Sequence, residues 1–153
     1  MTHLKVGDSA PKFTAINQNS ESISSESLKG SKYIIFFYPK DNTPGCTAEA
    51  CSIRDHYRKL QKAGYKAFGV SPDSPKKHQN FIGKFDLQYD LLADTEQEML
   101  KAFGAWGEKS FMGKKYIGVH RSTFVVDEEG KISHIYSKVK TKTHGQDLLN
   151  DLT

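Results

Sequence analysis

Residues 42–51, NTPGCTAEAC, hold both cysteines of the chain, Cys46 and Cys51, just after a proline-glycine pair. Thr43 and Pro44 fit an N-cap and a first helical residue, which would put Cys46 in the first turn of a helix. Backbone N–H groups there lack intrahelical acceptors and the helix dipole is positive, so the position favours a thiolate, the nucleophilic form of cysteine. Wound at about 100° per residue, Cys46 falls on the stripe of Ala50, Ile53, Tyr57 and Leu60, and Cys51 points about 140° away. One thiol is then pocketed and the other turned outward. Helical residues five apart have Cα atoms roughly 8.6 Å from each other. A disulfide tolerates at most about 6.8 Å, so bonding the pair requires the first turn to unwind. On residue type alone Cys46 could also be a small buried hydrophobe and Cys51 an incidental thiol. Zinc held by the two thiols and His56 falls short of the usual four ligands, and no metal is expected.

The elements around this loop alternate. Tyr33–Tyr38, YIIFFY, is an apolar, β-branched and aromatic run stopped by Pro39, the pattern of a strand buried on both faces. YKAFGV gives a second strand, and Ser74-Pro75 starts a helix over PKKHQNFIGKF. TEQEMLKAF is a further helix ended by Gly104, STFVVDEEGKISHIYS is two strands about a turn, and THGQDLLNDL closes with a helix. The polar stretch 108–118 is expected to be a loop near the cleft. The order β-α-β-α-α-β-β-α implies a mixed sheet with helices on both faces, formed by the whole chain, residues 1–153, as one domain. Ligands of such sheets bind beyond the carboxyl ends of the parallel strands, and the loop after YIIFFY is one of those ends. If the strand from Ser122 runs antiparallel to the first two, Arg121 lies at the same end, near Cys46.

Composition bounds the function. At 153 residues the chain can bury a core without disulfide or metal staples. No apolar run approaches the roughly 20 residues of a membrane helix, and the start lacks the apolar stretch of a secretory signal, so the reducing cytoplasm is the expected compartment. The net charge of +4 comes from lysines interleaved with acids, and Lys138–Lys142 reads as a solvated face rather than a nucleic-acid site.

YPKDNTPGCTAEAC resembles the active-site signature of the atypical two-cysteine peroxiredoxins of the bacterioferritin-comigratory, or peroxiredoxin Q, type. Pro39, Thr43 and Cys46 match the P-x-x-x-T-x-x-C pattern, and Cys51 stands where many members carry a resolving cysteine. GVSPDS, FDLQYDLLAD, GAWGEK and GVHRSTFVVD are similar to later segments of that family in the same order, with Arg121 at its active-site arginine. The resemblance implies a thioredoxin-like fold, a central mixed sheet flanked by helices with an N-terminal β extension. It implies reduction of hydrogen peroxide and organic hydroperoxides without metal, flavin or haem. Cys46 would become a sulfenic acid, Cys51 would close an intramolecular disulfide, and thioredoxin, or glutaredoxin, would reopen it. A resolving thiol in the same helix needs no second subunit, so a monomer is expected.

For any thiol, a lower pKa raises the thiolate fraction but removes most of the gain as lost nucleophilicity, with a Brønsted slope of about 0.4–0.5. Positioning the peroxide and stabilising charge on the departing oxygen must supply the rest. Arg121 is the candidate for that work, with the Thr43 hydroxyl and the Cys46 backbone N–H. Thr43 also fits a plain N-cap. Pro39 either ends a strand or shields Cys46 from water, and Gly45 and Glu49 complete the supporting set. Glu49 is either a solvated helix carboxylate or, about 60° round the helix from Cys46, the group that orients Arg121. His120 reads as a structural histidine and Trp106 as packing. The competing classes are a peroxide sensor that relays oxidation to a partner, a holdase-type binding protein, and a dithiol oxidoreductase. The last favours C-x-x-C and lacks the Thr43–Arg121 combination.

Overall fold

The computed structural model describes residues 2–153. In chain order the elements are β1 (Thr14–Asn17), β2 (Ser22–Ser24), β3 (Lys32–Phe37), α1 (Pro44–Lys62), β4 (Tyr65–Ser71), α2 (Pro75–Phe85) and β5 (Asp90–Ala93). There follow α3 (Glu98–Ala102), β6 (Trp106–Phe111), β7 (Lys114–Val119), β8 (Ser122–Val126), β9 (Ile132–Tyr136) and α4 (His144–Leu152). Seven strands form one mixed sheet in the order β2-β1-β5-β4-β3-β8-β9, with β3, β4 and β5 parallel and β8 antiparallel to β3.

The central strand β3 is buried on both faces because its residues alternate between two cores. Tyr33, Ile35 and Phe37 join Phe68, Phe103 and Phe124 on one side. Ile34 and Phe36 join Cys46, Ala50, Ile53, Leu60 and Phe81 on the other. Helices α1, α2 and α4 cover that second face, while α3 lies against the first. The N-terminal β extension is the β1–β2 hairpin, which pairs with β5 at the sheet's edge. Phe37 pairs with Ser122, so β8 begins where β3 ends, and Arg121 stands at the end of the sheet from which α1 departs. Among the described residues no helix is long and apolar enough to cross a membrane.

Three elements depart from the sequence expectation. The loop expected over 108–118 is the β6–β7 hairpin. Its tip, Met112–Gly113, has positive φ at both residues, the conformation of a two-residue hairpin turn. Phe111, Tyr116 and Ile117 are exposed, so no buried face imposes apolar alternation on the sequence. Strand β5 was not anticipated, because four residues are too short to show a period. Helix α3 is shorter than TEQEMLKAF, because the Asp94 carboxylate accepts the Met99 and Leu100 amides and Gln97 is left-handed at φ 57°.

Helix α4 presses its first turn onto α1. The Gly145 amide donates to Ser52 Oγ at 2.9 Å, and a Cβ built on Gly145 would lie 2.1 Å from the Ser52 carbonyl oxygen. No side chain fits between backbones that close. Gly145→Ala is therefore expected to separate the helices and cost about 2–3 kcal/mol, a fall of roughly 5–10 °C in Tm. A thermal melt that matches the parent would refute this contact.

Candidate active site

Cys46 enters the site because Pro44 starts α1 directly after the chain turns out of β3. Thr43 occupies the N-cap position with extended backbone, and the first helical bond runs from the Thr47 amide to the Thr43 carbonyl at 2.8 Å. The Gly45 and Cys46 amides precede that bond and have no carbonyl to reach within the helix. Cys46 is 2% exposed and packs with Ala50, Ile53 and Phe36, as its stripe predicts, whereas Cys51 is half-buried. Both cysteines are free, and α1 is unbroken from Pro44 through Cys51.

The geometry brings three of the expected site residues into contact. Arg121 Nη2 donates to Cys46 Sγ at 3.3 Å, and Nη1 donates to Glu49 Oε1 at 2.6 Å. Glu49 is fully buried, not a solvated carboxylate, and among the described residues its Oε2 has no hydrogen-bond partner. Burial pushes the Glu49 carboxyl up to about 7, against the pull of the guanidinium. Burial works against the charge on Arg121, yet Glu49 and Cys46 outweigh it and hold its pKa above the usual arginine value. Gly45 keeps the approach open: a Cβ there would touch Arg121 Nη2 at 3.4 Å.

Thr43 and Pro39 sit less centrally. The Thr43 hydroxyl donates to the Lys40 carbonyl at 2.9 Å and makes no cap bond to α1, so the expected N-cap is one by position and not by side chain. Pro39 is half-buried two residues beyond the end of β3. His56 bonds the Ser52 carbonyl and Gln146, which occupies both ring nitrogens away from the thiols. His120 is half-buried at the foot of the β6–β7 hairpin, and burial lowers its pKa. Trp106 packs against the core beside Phe103 and Val119.

A second buried polar group lies beside the loop and was not foreseen. Asp41 Oδ1 accepts from Tyr38 Oη at 2.5 Å, and Asp41 Oδ2 pairs with His78 Nδ1 at 2.6 Å. The Asp41 amide donates to Asp73 Oδ2 at 2.8 Å, an oxygen that also accepts from Ser71 Oγ at 2.7 Å. His78 Nε2 faces the Leu92 carbonyl at 3.0 Å. Asp41, Asp73 and His78 each present a ligand atom within 4.8 Å of the others, but these atoms are engaged by protein donors and acceptors. His78 Nε2 faces a carbonyl, which only accepts, so that nitrogen carries a proton and offers no lone pair to a cation. The cluster is a hydrogen-bonded clamp between the loop, β4 and α2. One signal for it was legible: the Ser74-Pro75 start phases α2 so that His78 and Phe81 share its buried face.

With this geometry in view, comparison with known proteins is direct. Residues 6–135 match the AhpC/TSA family. Peroxiredoxin Bcp of Escherichia coli K12 is 44% identical over 150 residues, covering 98% of this chain and 96% of the relative. A Haemophilus influenzae protein named putative peroxiredoxin bcp is 43% identical over 152 residues, covering 99% and 98%. Among solved structures, Xanthomonas campestris peroxiredoxin Q superposes with a TM-score of 0.88 at 32% identity, covering 99% of this chain and 96% of the other. The bacterioferritin comigratory protein of the same organism, studied for its alkyl peroxide reduction activity, gives 0.88 at 32% identity, covering 99% and 97%. The fold, the cysteine-bearing loop and these likenesses agree: the chain belongs to the AhpC/TSA family, among the thioredoxin-like peroxiredoxins of the bacterioferritin-comigratory, or Q, type.

Proposed function

We propose that the protein is a thiol peroxidase that reduces hydrogen peroxide and organic hydroperoxides at Cys46, with Cys51 as resolving thiol and thioredoxin, or glutaredoxin, as reductant. The observation that carries this reading is the guanidinium of Arg121 held between Cys46 Sγ and Glu49. The alkyl peroxide reduction activity of the Xanthomonas campestris relative supports organic hydroperoxides as substrates. In this reading the whole chain works as one domain, as a cytoplasmic monomer.

The Cys46 thiolate attacks one oxygen of ROOH and the O–O bond breaks. The other oxygen leaves with the bonding pair and takes a proton as ROH, while the attacked oxygen stays on sulfur as Cys46–SOH. Arg121 Nη2, already on the sulfur, is placed to bond the attacked oxygen and to stabilise charge on the departing one. The Cys46 backbone N–H and the Thr43 hydroxyl supply further donors once substrate displaces their present arrangement, and Gly45 and Pro39 bound the approach. Glu49 fixes Arg121 by holding Nη1, which leaves Nη2 for the reaction. The Cys51 sulfur then attacks Cys46–SOH, forming the disulfide, and the departing hydroxide takes up the proton given up by the Cys51 thiol and leaves as water. An external dithiol restores both thiols by two-electron exchange.

Arg121→Met is expected to slow oxidation of Cys46 by peroxide about 100–1,000-fold, the scale of losing a transition-state donor. Stopped-flow rates within about tenfold of the parent would discard the assignment. For the resolving step, one equivalent of peroxide should lower the intact mass by about 2 Da as two thiols become a disulfide. Cys51→Ser should instead gain about 16 Da as sulfenic acid, pass on to sulfinic acid when peroxide is in excess, and lose multiple turnover. Normal cycling of Cys51→Ser with thioredoxin would remove Cys51 from the mechanism.

The buried carboxyl predicts a pH effect on stability. Because Glu49 is raised from 4.5 to about 7 in the folded chain, the fold retains a proton that the unfolded chain releases. That stabilisation is full below the unfolded value and disappears as pH rises to about 7. The Tm of Glu49→Gln should therefore gain steadily on the parent's from about pH 5 to pH 8. Parallel Tm profiles would show that the carboxyl is not raised.

A further inference from the structure

An external dithiol has to reach the cysteine-bearing turn, and the surface around that turn is marked by charge. On the wheel of α1, Arg54, Arg58 and Lys62 stand within about 60° of Cys51, so the half-buried thiol heads a cationic stripe about 16 Å long. Arg58 and Lys62 are exposed. Asp55 is the exposed acid of α1, and it is bound to Arg54 at 2.9 Å.

Helix α2 extends this field. It carries Lys76, Lys77 and Lys84 and no acid, and Asp86 at its C-cap is the exposed acid nearest in sequence. The end of α2 lies across the cysteine-bearing segment. Lys84 Nζ donates to Asn42 Oδ1 at 3.3 Å, upstream of Cys46, and Arg54 Nη1 donates to the Phe85 carbonyl at 2.7 Å, downstream of Cys51. Between the loop and α2 is a cleft of about 230 Å³ lined by the exposed side chains of Lys40, Asn42, Lys77, Asn80 and Lys84. The acids in its wall, Asp41 and Asp73, are buried. Their oxygens are taken by Tyr38, His78, Ser71 and the Asp41 amide, and Asp73 Oδ1 lies 3.9 Å from Lys77. The cations therefore face solvent while the acids of the cleft are turned inward.

We infer that the Cys51 side of α1, the exposed side of α2 and Lys40 together form the docking surface of the reductant, and that this reductant is an acidic dithiol protein. The inference rests on the thiol peroxidase reading above. One partner thiolate attacks a sulfur of the Cys46–Cys51 disulfide, and its second thiol closes the partner's own disulfide. Two electrons and two protons pass to the cysteines. The cations act on encounter: complementary charge speeds association by about 10–1,000-fold and loses its effect as salt rises. The screening length shrinks from about 30 Å at 0.01 M salt to about 8 Å at 0.15 M, so a stripe about 16 Å long attracts as a unit only at the lower concentration.

The test compares the parent with Arg58→Glu, Lys84→Glu and Lys131→Glu. Lys131 precedes β9 in the turn from β8, at the end of the sheet opposite Arg121, so its reversal changes net charge equally and leaves the face intact. Each protein would be oxidised with one equivalent of peroxide and reduced by a thioredoxin of acidic pI or by dithiothreitol, which is too small to span the face. The return of about 2 Da would be timed at about 0.01 M and 0.15 M salt. The thioredoxin rate constant of the parent should fall about tenfold with salt. At low salt Arg58→Glu and Lys84→Glu should each be about fivefold slower than the parent, and all should converge at high salt. Dithiothreitol rates and Lys131→Glu should match the parent throughout. A parent indifferent to salt, reversals within about twofold of it, or an equal loss in Lys131→Glu would overturn the surface and leave the reductant standing. Slower reduction of the reversals by dithiothreitol would put the effect in the disulfide and overturn the surface too. Retention of duplex DNA at low salt by the parent, with thioredoxin rates indifferent to salt, would give the face to nucleic acid instead. A parent reduced by dithiothreitol but by neither thioredoxin nor glutaredoxin would overturn the reductant reading, and the surface with it.

Discussion

Arg121 carries its charge into a half-buried position because two groups on one helix face receive it: the Glu49 carboxylate and the Cys46 sulfur. Removing a charge from water is costly unless it is paired and hydrogen-bonded, and here the partners come from elements distant in sequence. The pairing of Phe37 with Ser122 delivers Arg121 to the end of β3, and the turn from β3 into α1 delivers Cys46 and Glu49 to the same point. The sheet's register, the N-terminus of α1 and the site electrostatics are thus one arrangement. A slip of one residue in β8 would reverse its faces and carry Arg121 away from both partners.

In the proposed mechanism the same helix turn faces opposing demands. Attack on a peroxide needs Cys46 fixed against Arg121 and the free amides of the first turn, which is the wound state. Disulfide formation needs that turn undone. In the structure that turn is held by Arg121 on Cys46 and Glu49 and by the Tyr89 hydroxyl on the Ala50 carbonyl, so these are the contacts that opening must break or bypass.

Much of this was legible in the sequence where a local rule spoke plainly. YIIFFY could only be a doubly buried strand, Ser74-Pro75 fixed the start of α2, and the phase of Ala50, Ile53 and Tyr57 put Cys46 inside and Cys51 outside. The meeting of Arg121 with Cys46 followed on the condition that the strand from Ser122 runs antiparallel to β3, as it does. What the sequence hid depended on tertiary partners. The β6–β7 hairpin buries too little to display a period, and β5 is too short to show one. Thr43 matched a capping residue, yet its hydroxyl turns back to Lys40. Glu49 stood open between a solvated carboxylate and a partner for Arg121, and only the packing of α1 on the sheet decides between them. The Asp41–His78 pair joins residues 37 positions apart, which no local pattern encodes.

The central claim is that Arg121 speeds one reaction of the Cys46 thiolate and not its reactions in general. The most direct measurement compares second-order rate constants of Cys46 with hydrogen peroxide and with iodoacetamide, each relative to free cysteine thiolate. Donors aimed at the breaking O–O bond should give peroxide an advantage of about a thousandfold or more, with alkylation left near that of an ordinary thiolate. Equal enhancement of both reagents, or of neither, would contradict the role assigned to the guanidinium.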